Sequence, residues 1–330
     1  MKKKLLFLAA LALLAIGALA GCGNRSADGL VVIYSNADLE AIEVMTNTLN
    51  DNGFQGQFEI QVFGTSDLSA RLVAEGVNIE SDIVTLSTFF LDTEQEMNNL
   101  FADFDTPDGL IAGERQTWES PLLGLEGGLV VNTQVLEQQN LPMPTSIKDL
   151  ADPVYAGWIS VSNPASSTTA WLMVQALVQT YGEDEAKEIL TGIIKNAGPH
   201  LETSGSAPIR KVESGEVAVG FGLRHQGAAL LEHGIPAKVV DPSEGNFVLT
   251  ESVALMNRDE INPKAKEMAA VLASKTRSEL IKIYPTPLFK DEVGSSAEEE
   301  RIKKFEEPLT TALLQQHIAL FNAAMEQAAN

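Results

Sequence analysis

Short clusters of hydroxyl-bearing, small and amide side chains recur along the chain, each directly after a predicted β-strand. Hydroxyls and free backbone N–H groups at the start of a helix bind anions well, because the helix dipole adds a favourable field there. The same residue types are preferred helix N-caps, so one cluster alone indicates capping as readily as binding. Five clusters at equivalent positions favour a shared cleft. Their members are Ser35, Asn36, Thr65, Ser66, Ser87, Thr88, Ser166, Ser167, Thr168, Thr169, Ser204, Gly205 and Ser206.

Arg224 and His225 follow a further predicted strand. The planar guanidinium of Arg224 suits a carboxylate or a phosphonate, but an acidic protein also offers an arginine many ion-pair partners. Both interpretations of Arg224 remain open. His225 could contact a ligand or begin a helix, and a role as a metal ligand ranks last.

The sequence lacks the patterns of common catalytic and metal sites. It has no G-x-S-x-G elbow, no H-E-x-x-H helix and no G-x-x-x-x-G-K-[ST] loop. Cys22 is the one cysteine, which excludes an intrachain disulfide and a cysteine cluster. We therefore expect a binding protein without a cofactor, a bound metal or catalytic residues. Glu119, Glu126 and Glu251 could each hold a ligand amine, and the sequence does not rank them.

The hydroxyl clusters lie between predicted strands and predicted helices. The run from Leu30 to Tyr34 is apolar and β-branched, which is typical of a buried parallel strand. Leu39 to Leu49 then has helical spacing, and two similar units follow with strands at Phe58–Phe63 and Asp82–Leu86. Repeated βα units predict an α/β lobe whose ligands bind beyond the carboxyl ends of the strands.

A second α/β lobe is predicted over residues 127–246. Its strands are predicted near Ile159 and Val217, and its helices at Ala170–Tyr181 and Ala186–Asn196. The first lobe is then discontinuous and takes residues 29–126 and 247–330. Its last segment, from Arg301 to Ala329, is predicted to be mostly helical.

Residues 1–21 have the pattern of a secretory signal, with three lysines, an apolar run and small residues before Cys22. The ending Leu19–Cys22 resembles the bacterial lipobox, in which the cysteine is acylated and becomes the mature N-terminus. That resemblance implies an extracytoplasmic protein anchored to the cell membrane or the outer membrane through Cys22. Residues 22–28 would form a polar tether. An ordinary signal peptide with an incidental cysteine is the alternative.

The formal net charge of the 330 residues is −22. This charge disfavours nucleic acids and anionic lipid surfaces as partners. It does not fix the sign of a ligand, since a local site can oppose the overall field. We expect a monomer that binds a small molecule.

Several segments of the chain resemble the solute-binding proteins of bacterial ABC importers. The resemblance is carried by Asn132-Thr133, Leu141–Pro144, Ile147–Leu150, Asp152–Gly157 and Gly215–Gly220. It implies a type II periplasmic-binding-protein-like α/β fold with two lobes, each a mostly parallel sheet flanked by helices, and a cleft between them. It also implies that lobe closure captures a solute for the importer permease in the membrane.

Within this class the chain looks most similar to the branch that binds ferric iron and 2-aminoethylphosphonate. Iron binders of that branch commonly use an adjacent pair of tyrosines, whereas the four tyrosines here are Tyr34, Tyr155, Tyr181 and Tyr284. The hydroxyl clusters with Arg224 fit an oxyanion better. We therefore expect a small anionic or zwitterionic solute such as an organophosphonate. Ferric-iron transport, a receptor-coupled sensor and an enzyme acting on the bound solute remain alternatives.

Overall fold

The structure is a computed structural model that describes residues 29–111, 113–292 and 302–330. The predicted signal segment 1–21, the tether 22–28 with Cys22, and Arg301 lie outside the described residues. Within the described ranges, no helix is both long enough and apolar enough to cross a membrane.

Strands and helices alternate along most of the chain. The strands are β1 (Val31–Ser35), β2 (Phe58–Val62), β3 (Ile83–Ser87), β4 (Phe101–Ala102), β5 (Glu119–Asn132), β6 (Ile159–Ser162), β7 (Leu201–Glu202), β8 (Val219–Leu223), β9 (Ala237–Val240) and β10 (Val248–Met256). The helices are α1 (Leu39–Leu49), α2 (Thr65–Glu75), α3 (Thr88–Asn98), α4 (Thr133–Gln138), α5 (Thr168–Ala197), α6 (Ala207–Glu213), α7 (Arg224–Glu232), α8 (Pro263–Lys275), α9 (Arg277–Ile283) and α10 (Thr311–Ala328).

The strands form one continuous sheet in the order β2-β1-β3-β10-β5-β8-β6-β7, with β4 beside β10 and β9 beside β5. β1 pairs in parallel with β2 and β3, and β6 pairs in parallel with β7 and β8. β5 and β10 run antiparallel to their neighbours. The predicted α/β fold with a mostly parallel sheet in each lobe is therefore confirmed, and the crossing strands add the antiparallel pairs.

The long strand β5 connects two lobes. Residues 119–126 pair with β10, and residues 127–132 pair with β8 and β9. Lobe 1 holds β1–β4, β10 and the first part of β5, and lobe 2 holds the rest of β5 with β6–β9. A Cβ atom at Gly127 would lie 3.0 Å from the Phe221 ring, so a side chain there would disturb the packing where β5 changes partner. The predicted boundary at 126/127 coincides with this change, although the exact division of the chain stays a prediction.

Both faces of the sheet carry apolar cores. β1 is buried along its whole length, as expected for a β-branched strand covered on two sides. Trp171 of α5 is fully buried in the core. The two helices predicted on either side of Gly182 both lie within α5, and the non-helical backbone of Gly182, with a φ of 77°, separates them. Glycine adopts this conformation without the clash that a side chain would cause.

The C-terminal helix begins later than predicted. It starts at Thr311 rather than near Arg301, because the Thr310 hydroxyl caps it by accepting a hydrogen bond from the Leu313 N–H at 3.1 Å. The helix packs on α5 of lobe 2, where Trp171 Nε1 donates to His317 Nδ1 at 2.9 Å. The assignment of residues 247–330 to lobe 1 stays a prediction.

Candidate functional site

A cavity of about 460 Å³ lies between the lobes, beyond the carboxyl ends of β1, β2 and β8. This is where open α/β sheets bind ligands. Most of the predicted hydroxyl clusters meet in its walls, and residues of both lobes contribute. The predicted site residues in the lining are Asn36, Thr65, Ser166, Ser167, Thr168, Thr169, Ser204, Gly205 and Ser206.

Helices from both lobes begin at this cavity. The residues before α1, α2, α5 and α7 all line it; they are Asp38, Gly64, Ser167 and Leu223. Among the residues that the structure describes, Asp38, Gly64 and Ser167 make no side-chain cap hydrogen bond, whereas α4, α8 and α10 are capped by side chains. The first N–H groups of α2 and α5 are therefore not taken up by capping side chains.

Gly205 allows two segments of lobe 2 to meet. A Cβ atom at this position would lie 2.5 Å from Ser167 Oγ and 2.8 Å from Thr169 Oγ1. The Ser204 carbonyl accepts a hydrogen bond from Ser162 Oγ at 2.8 Å, which holds the turn in place. The turn and the start of α5 together bring several hydroxyl groups to one end of the cavity, where they could donate to an oxyanion.

The lobe 1 wall presents hydrogen-bond acceptors. Asn36 Nδ2 donates to Glu251 Oε1 at 2.7 Å and to Thr65 Oγ1 at 3.1 Å. These bonds fix the orientation of the amide. Within the described part of the chain, Asn36 Oδ1, Glu251 Oε2 and the Tyr284 hydroxyl are buried without a partner. Asp38 lies in the same wall. Buried polar atoms without partners are rare in folded proteins, and three of them here indicate a binding site.

Burial and, to a smaller extent, the nearby Asp38 raise the pKa of Glu251 to about 7, against the opposing hydrogen bond from Asn36. Burial and Glu40 also raise the pKa of Asp38, while Arg210 opposes them. The described lining contains no lysine or arginine. A ligand cation beside these carboxyls would favour their ionised forms, so this end of the cavity is suited to an ammonium group.

Four predicted site residues lie outside the lining of this cavity. Ser35 Oγ pairs with Thr85 Oγ1 at 2.6 Å and accepts from the Ala37 N–H, which shapes the turn after β1. Ser87 is buried beneath the start of α3. Thr88 Oγ1 pairs with Ser252 Oγ at 2.8 Å. Ser66 Oγ donates to the Ala165 carbonyl at 2.8 Å and so joins the two lobes.

The structure does not bring Arg224 or His225 into the lining either. Arg224 Nε donates to Asp241 Oδ1 at 3.0 Å and lies 3.6 Å from Glu126 Oε1, so the guanidinium forms an ion pair near the crossing strands. The His225 ring packs 4.3 Å from the Tyr284 ring, and burial lowers its pKa to about 4. His225 is therefore neutral at pH 7, and its ring packs against the Tyr284 ring.

Of the three unranked carboxylates, Glu251 lines the cavity. Glu126 accepts a hydrogen bond from Asn246, and burial raises the pKa of Glu119 to about 7 in the core beside Ser252. Sequence reasoning missed Asp38, Gln226 and Tyr284 as lining residues. Asp38 ends the same polar turn as Asn36, and that position could have identified it. No pattern in the sequence around Tyr284 indicates that this residue lines the cavity.

The tyrosines are spread through the molecule. Tyr284 lines the cavity, whereas the Tyr155 and Tyr181 hydroxyls donate to the Pro142 carbonyl and to Glu244, and the Tyr34 hydroxyl lies 3.5 Å from Glu80. In the described ranges, no group of three or more His, Cys, Asp or Glu residues could hold a metal ion. This arrangement gives no support to a pair of phenolate ligands for iron.

The chain matches a protein family described as "Bacterial extracellular solute-binding protein" over residues 88–305. An uncharacterized protein of Haemophilus influenzae is 27% identical over 279 residues, which cover 82% of this chain and 80% of that protein.

Solved structures of periplasmic binding proteins have the same fold. The periplasmic binding protein AfuA from Actinobacillus pleuropneumoniae, with exogenous fructose-6-phosphate bound, aligns with a TM-score of 0.73 at 22% identity, covering 92% of this chain and 99% of that one. Iron-bound HitA from Pseudomonas aeruginosa aligns with a TM-score of 0.68 at 18% identity, covering 89% and 99%. A periplasmic thiamin binding protein aligns with a TM-score of 0.71 at 19% identity, covering 89% and 96%. The ligands of these proteins differ, so the likeness establishes the fold and not the solute.

Proposed function

The chain belongs to the family of bacterial extracellular solute-binding proteins, and from that premise we propose that it captures a small zwitterion, with an amine and an oxyanion such as a phosphonate, for an ABC importer. Proteins of this family bind small ligands and deliver them to ABC permeases. They are binding proteins rather than enzymes. The proposal adds the chemical class of the solute, a binding site for its amine and a binding site for its oxyanion.

The amine site carries the proposal. Asn36 Oδ1 and Glu251 Oε2 are buried acceptors without partners, and Asp38 lies in the same wall. An ammonium group has three N–H donors and no acceptor, so it complements this set. A second oxyanion would be repelled by the two carboxyls.

The oxyanion site is proposed in the lobe 2 wall of the cavity. The start of α5 offers N–H groups that are not capped by Ser167, and Thr168, Thr169, Ser204 and Ser206 add hydroxyl donors. The two sites belong to different lobes. A ligand that spans the two sites favours the closed arrangement of the lobes. Closure then distinguishes the liganded binding protein from the unliganded one.

Calorimetry with 2-aminoethylphosphonate, ethylphosphonate and ethanolamine tests this function. A hydrogen bond to a charged group contributes roughly 1.5–3 kcal/mol, so each fragment should bind about 10- to 100-fold more weakly than the zwitterion. Equal affinity for a fragment with one charge would contradict the proposal. Tight one-to-one binding of ferric ion, with a phenolate charge-transfer band, would favour the iron alternative instead. Recovery of the ligand unchanged after incubation separates a binder from an enzyme.

Attachment to the membrane through an acylated Cys22 is part of the same proposal. It rests on the lysine-rich, apolar and small-residue pattern that precedes this cysteine. Labelling cells with a fatty acid should mark the wild-type protein and leave a Cys22→Ser variant unmarked. Label retained in the variant would contradict the anchor.

A further inference from the structure

A second cavity of about 530 Å³ adjoins the first. The two cavities share Thr65, Ser167 and Thr168 in their walls. The hydrogen bond from Ser66 Oγ to the Ala165 carbonyl lies beside this shared wall and joins the lobes. The second cavity therefore adjoins Ser167 and Thr168, which are among the residues proposed to hold the oxyanion.

The second cavity is more apolar than the first. Carbon-rich side chains come from lobe 1, from the loop before α5 and from α10; they include Val73, Phe90, Met97, Pro164, Leu314 and Ile318. Glu94 is the ionisable residue of the described lining, and its Oε2 already accepts from Asn98 Nδ2 at 2.8 Å. The wall therefore offers apolar contact and little to bind a second charge.

Two lining side chains of this cavity are unusually exposed for their type. Val73 is 66% exposed and Met97 is 74% exposed. An apolar group placed in the cavity would cover part of their surface, and this burial is favourable. Together with the low charge of the lining, these side chains favour an uncharged, apolar group as the occupant.

Together the two cavities offer more room than a two-carbon phosphonate needs. Pockets of roughly 300–1,000 Å³ hold drug-sized ligands, and each cavity falls in that range. A phosphorus oxyanion can carry two substituents and still keep a negative charge. With the oxyanion at Ser167 and Thr168, one substituent can extend into each cavity.

We infer that the preferred solute is a zwitterionic phosphorus ester with two arms, an aminoalkyl arm in the first cavity and an apolar arm in the second. This inference rests on the proposed function, because it uses the same oxyanion and amine sites. It adds a second binding subsite and a substrate class, the phosphonate monoesters and phosphodiesters.

Calorimetry with 2-aminoethylphosphonate and its mono-n-butyl ester tests the inference. The ester should bind the wild-type protein at least about tenfold more tightly than the parent compound, because its butyl group is buried. Ala70→Trp fills the second cavity from an exposed position in α2, so it should lower the ratio of ester to parent affinity to one or below. Ala323→Trp places the same side chain at an exposed position of α10 outside both linings, and it should preserve the ratio.

The possible results separate the two proposals. A parent compound that binds while its ester binds more weakly, or a ratio that Ala70→Trp leaves unchanged, overturns the second subsite and leaves the proposed function intact. If neither compound binds the folded wild-type protein, the proposed function fails and the second subsite fails with it. Circular dichroism of each variant confirms that the fold is retained.

Discussion

Glu251 is held in the cavity wall by one hydrogen bond and lacks a partner for its second oxygen. Burial raises its pKa most, the hydrogen bond from Asn36 lowers it and the charge of Asp38 raises it, and together they bring the pKa to about 7. The carboxyl is therefore near the midpoint of its titration at neutral pH in the unliganded protein. A bound ammonium would shift that balance towards the carboxylate.

This balance predicts how affinity depends on pH. Since the pKa of Glu251 is about 7, an amine ligand must displace a proton at lower pH, and affinity should fall as pH falls from 8 to 5. Glu251→Gln should weaken binding about 10- to 100-fold at pH 8 and flatten the pH dependence. Calorimetry in buffers of different ionisation enthalpy measures the proton released. The ligand's own titration is common to both proteins, so an identical pH slope in the variant would contradict this role.

A substitution at Gly205 tests whether the turn at Ser204–Ser206 takes part in binding an oxyanion. The Cβ atom of Gly205→Ala would collide with Ser167 Oγ and Thr169 Oγ1, so the turn and the start of α5 must separate. We expect affinity for an oxyanion ligand to fall at least about tenfold, with the overall fold retained by circular dichroism. In Gly128→Ala the new Cβ would meet its nearest atom at an ordinary 3.8 Å, so that variant is the control. Wild-type affinity in Gly205→Ala would show that the turn takes no part in binding.

Single residues also show how far the sequence can locate a site. The hydroxyl turns were predictable because strand ends and helix starts are local patterns, and most of these turns do line the cavity. Arg224 was chosen for the same reason, yet its side chain turns to Asp241 and Glu126. Glu126 lies on β5 and Asp241 directly follows β9, so the pairing depends on the tertiary fold and leaves no trace near Arg224 in the sequence.

Among the elements, β5 buries the carboxyl of Glu119 in lobe 1, and α3 places the partly buried Asp92 near it. Burial raises the pKa of Glu119 to about 7 and that of Asp92 to about 6, and the two groups lie close enough for the charge of Asp92 to act on Glu119. Glu119 Oε2 has no partner among the described residues. The folded state therefore binds protons that the unfolded state releases between about pH 4.5 and 7.

This proton linkage has a definite sign. A carboxyl whose pKa is raised by folding stabilises the protein at low pH, and the benefit is lost as pH rises through the folded value. Glu119→Gln keeps an acceptor for Ser252 and removes the titration, so it should raise the free energy of unfolding at pH 8 by on the order of 1–3 kcal/mol relative to wild type. The difference should shrink at pH 5. Urea unfolding at both pH values measures it, and an equal effect at both would contradict the linkage.

The packing of α10 marks the limit of element prediction. The sequence shows the helical pattern of α10, but it does not show which element α10 packs against. A buried hydrogen bond between Trp171 and His317 attaches the helix to α5, across a separation of 146 residues. Hydrophobic spacing identifies the face of a helix that is buried and leaves open which element covers it.

At the scale of the whole molecule, the net charge of −22 and the local charge of the cavity act in different ways. The overall field attracts cations and repels free oxyanions at long range, although salt screens it beyond about 8–10 Å. The proposed oxyanion site therefore relies on short-range donors at helix starts. A zwitterion is less affected by the overall field than a simple anion, which agrees with the proposed solute.

Closure of the two lobes is the last prediction. The chain crosses between lobes at β5 and again before β10, which suits a hinge, and the Ser66–Ala165 hydrogen bond joins the lobes on the side of the cavity. A ligand bound at both ends of the cavity should favour this arrangement. Small-angle scattering should show a smaller radius of gyration at saturating ligand than without it.

The contribution of the Ser66 bond to closure can be measured separately. One neutral hydrogen bond contributes roughly 0.5–1.5 kcal/mol, so Ser66→Ala should reduce ligand affinity about 2- to 10-fold. Because the bond forms only when the lobes meet, the loss should appear mainly as faster ligand release in stopped-flow experiments. Ser274→Ala removes a hydroxyl that donates to Ala270 within α8, so it controls for the loss of a hydroxyl away from the cleft and should leave release unchanged. An unchanged radius of gyration at saturation, together with wild-type release from Ser66→Ala, would mean that binding in this protein does not depend on closure.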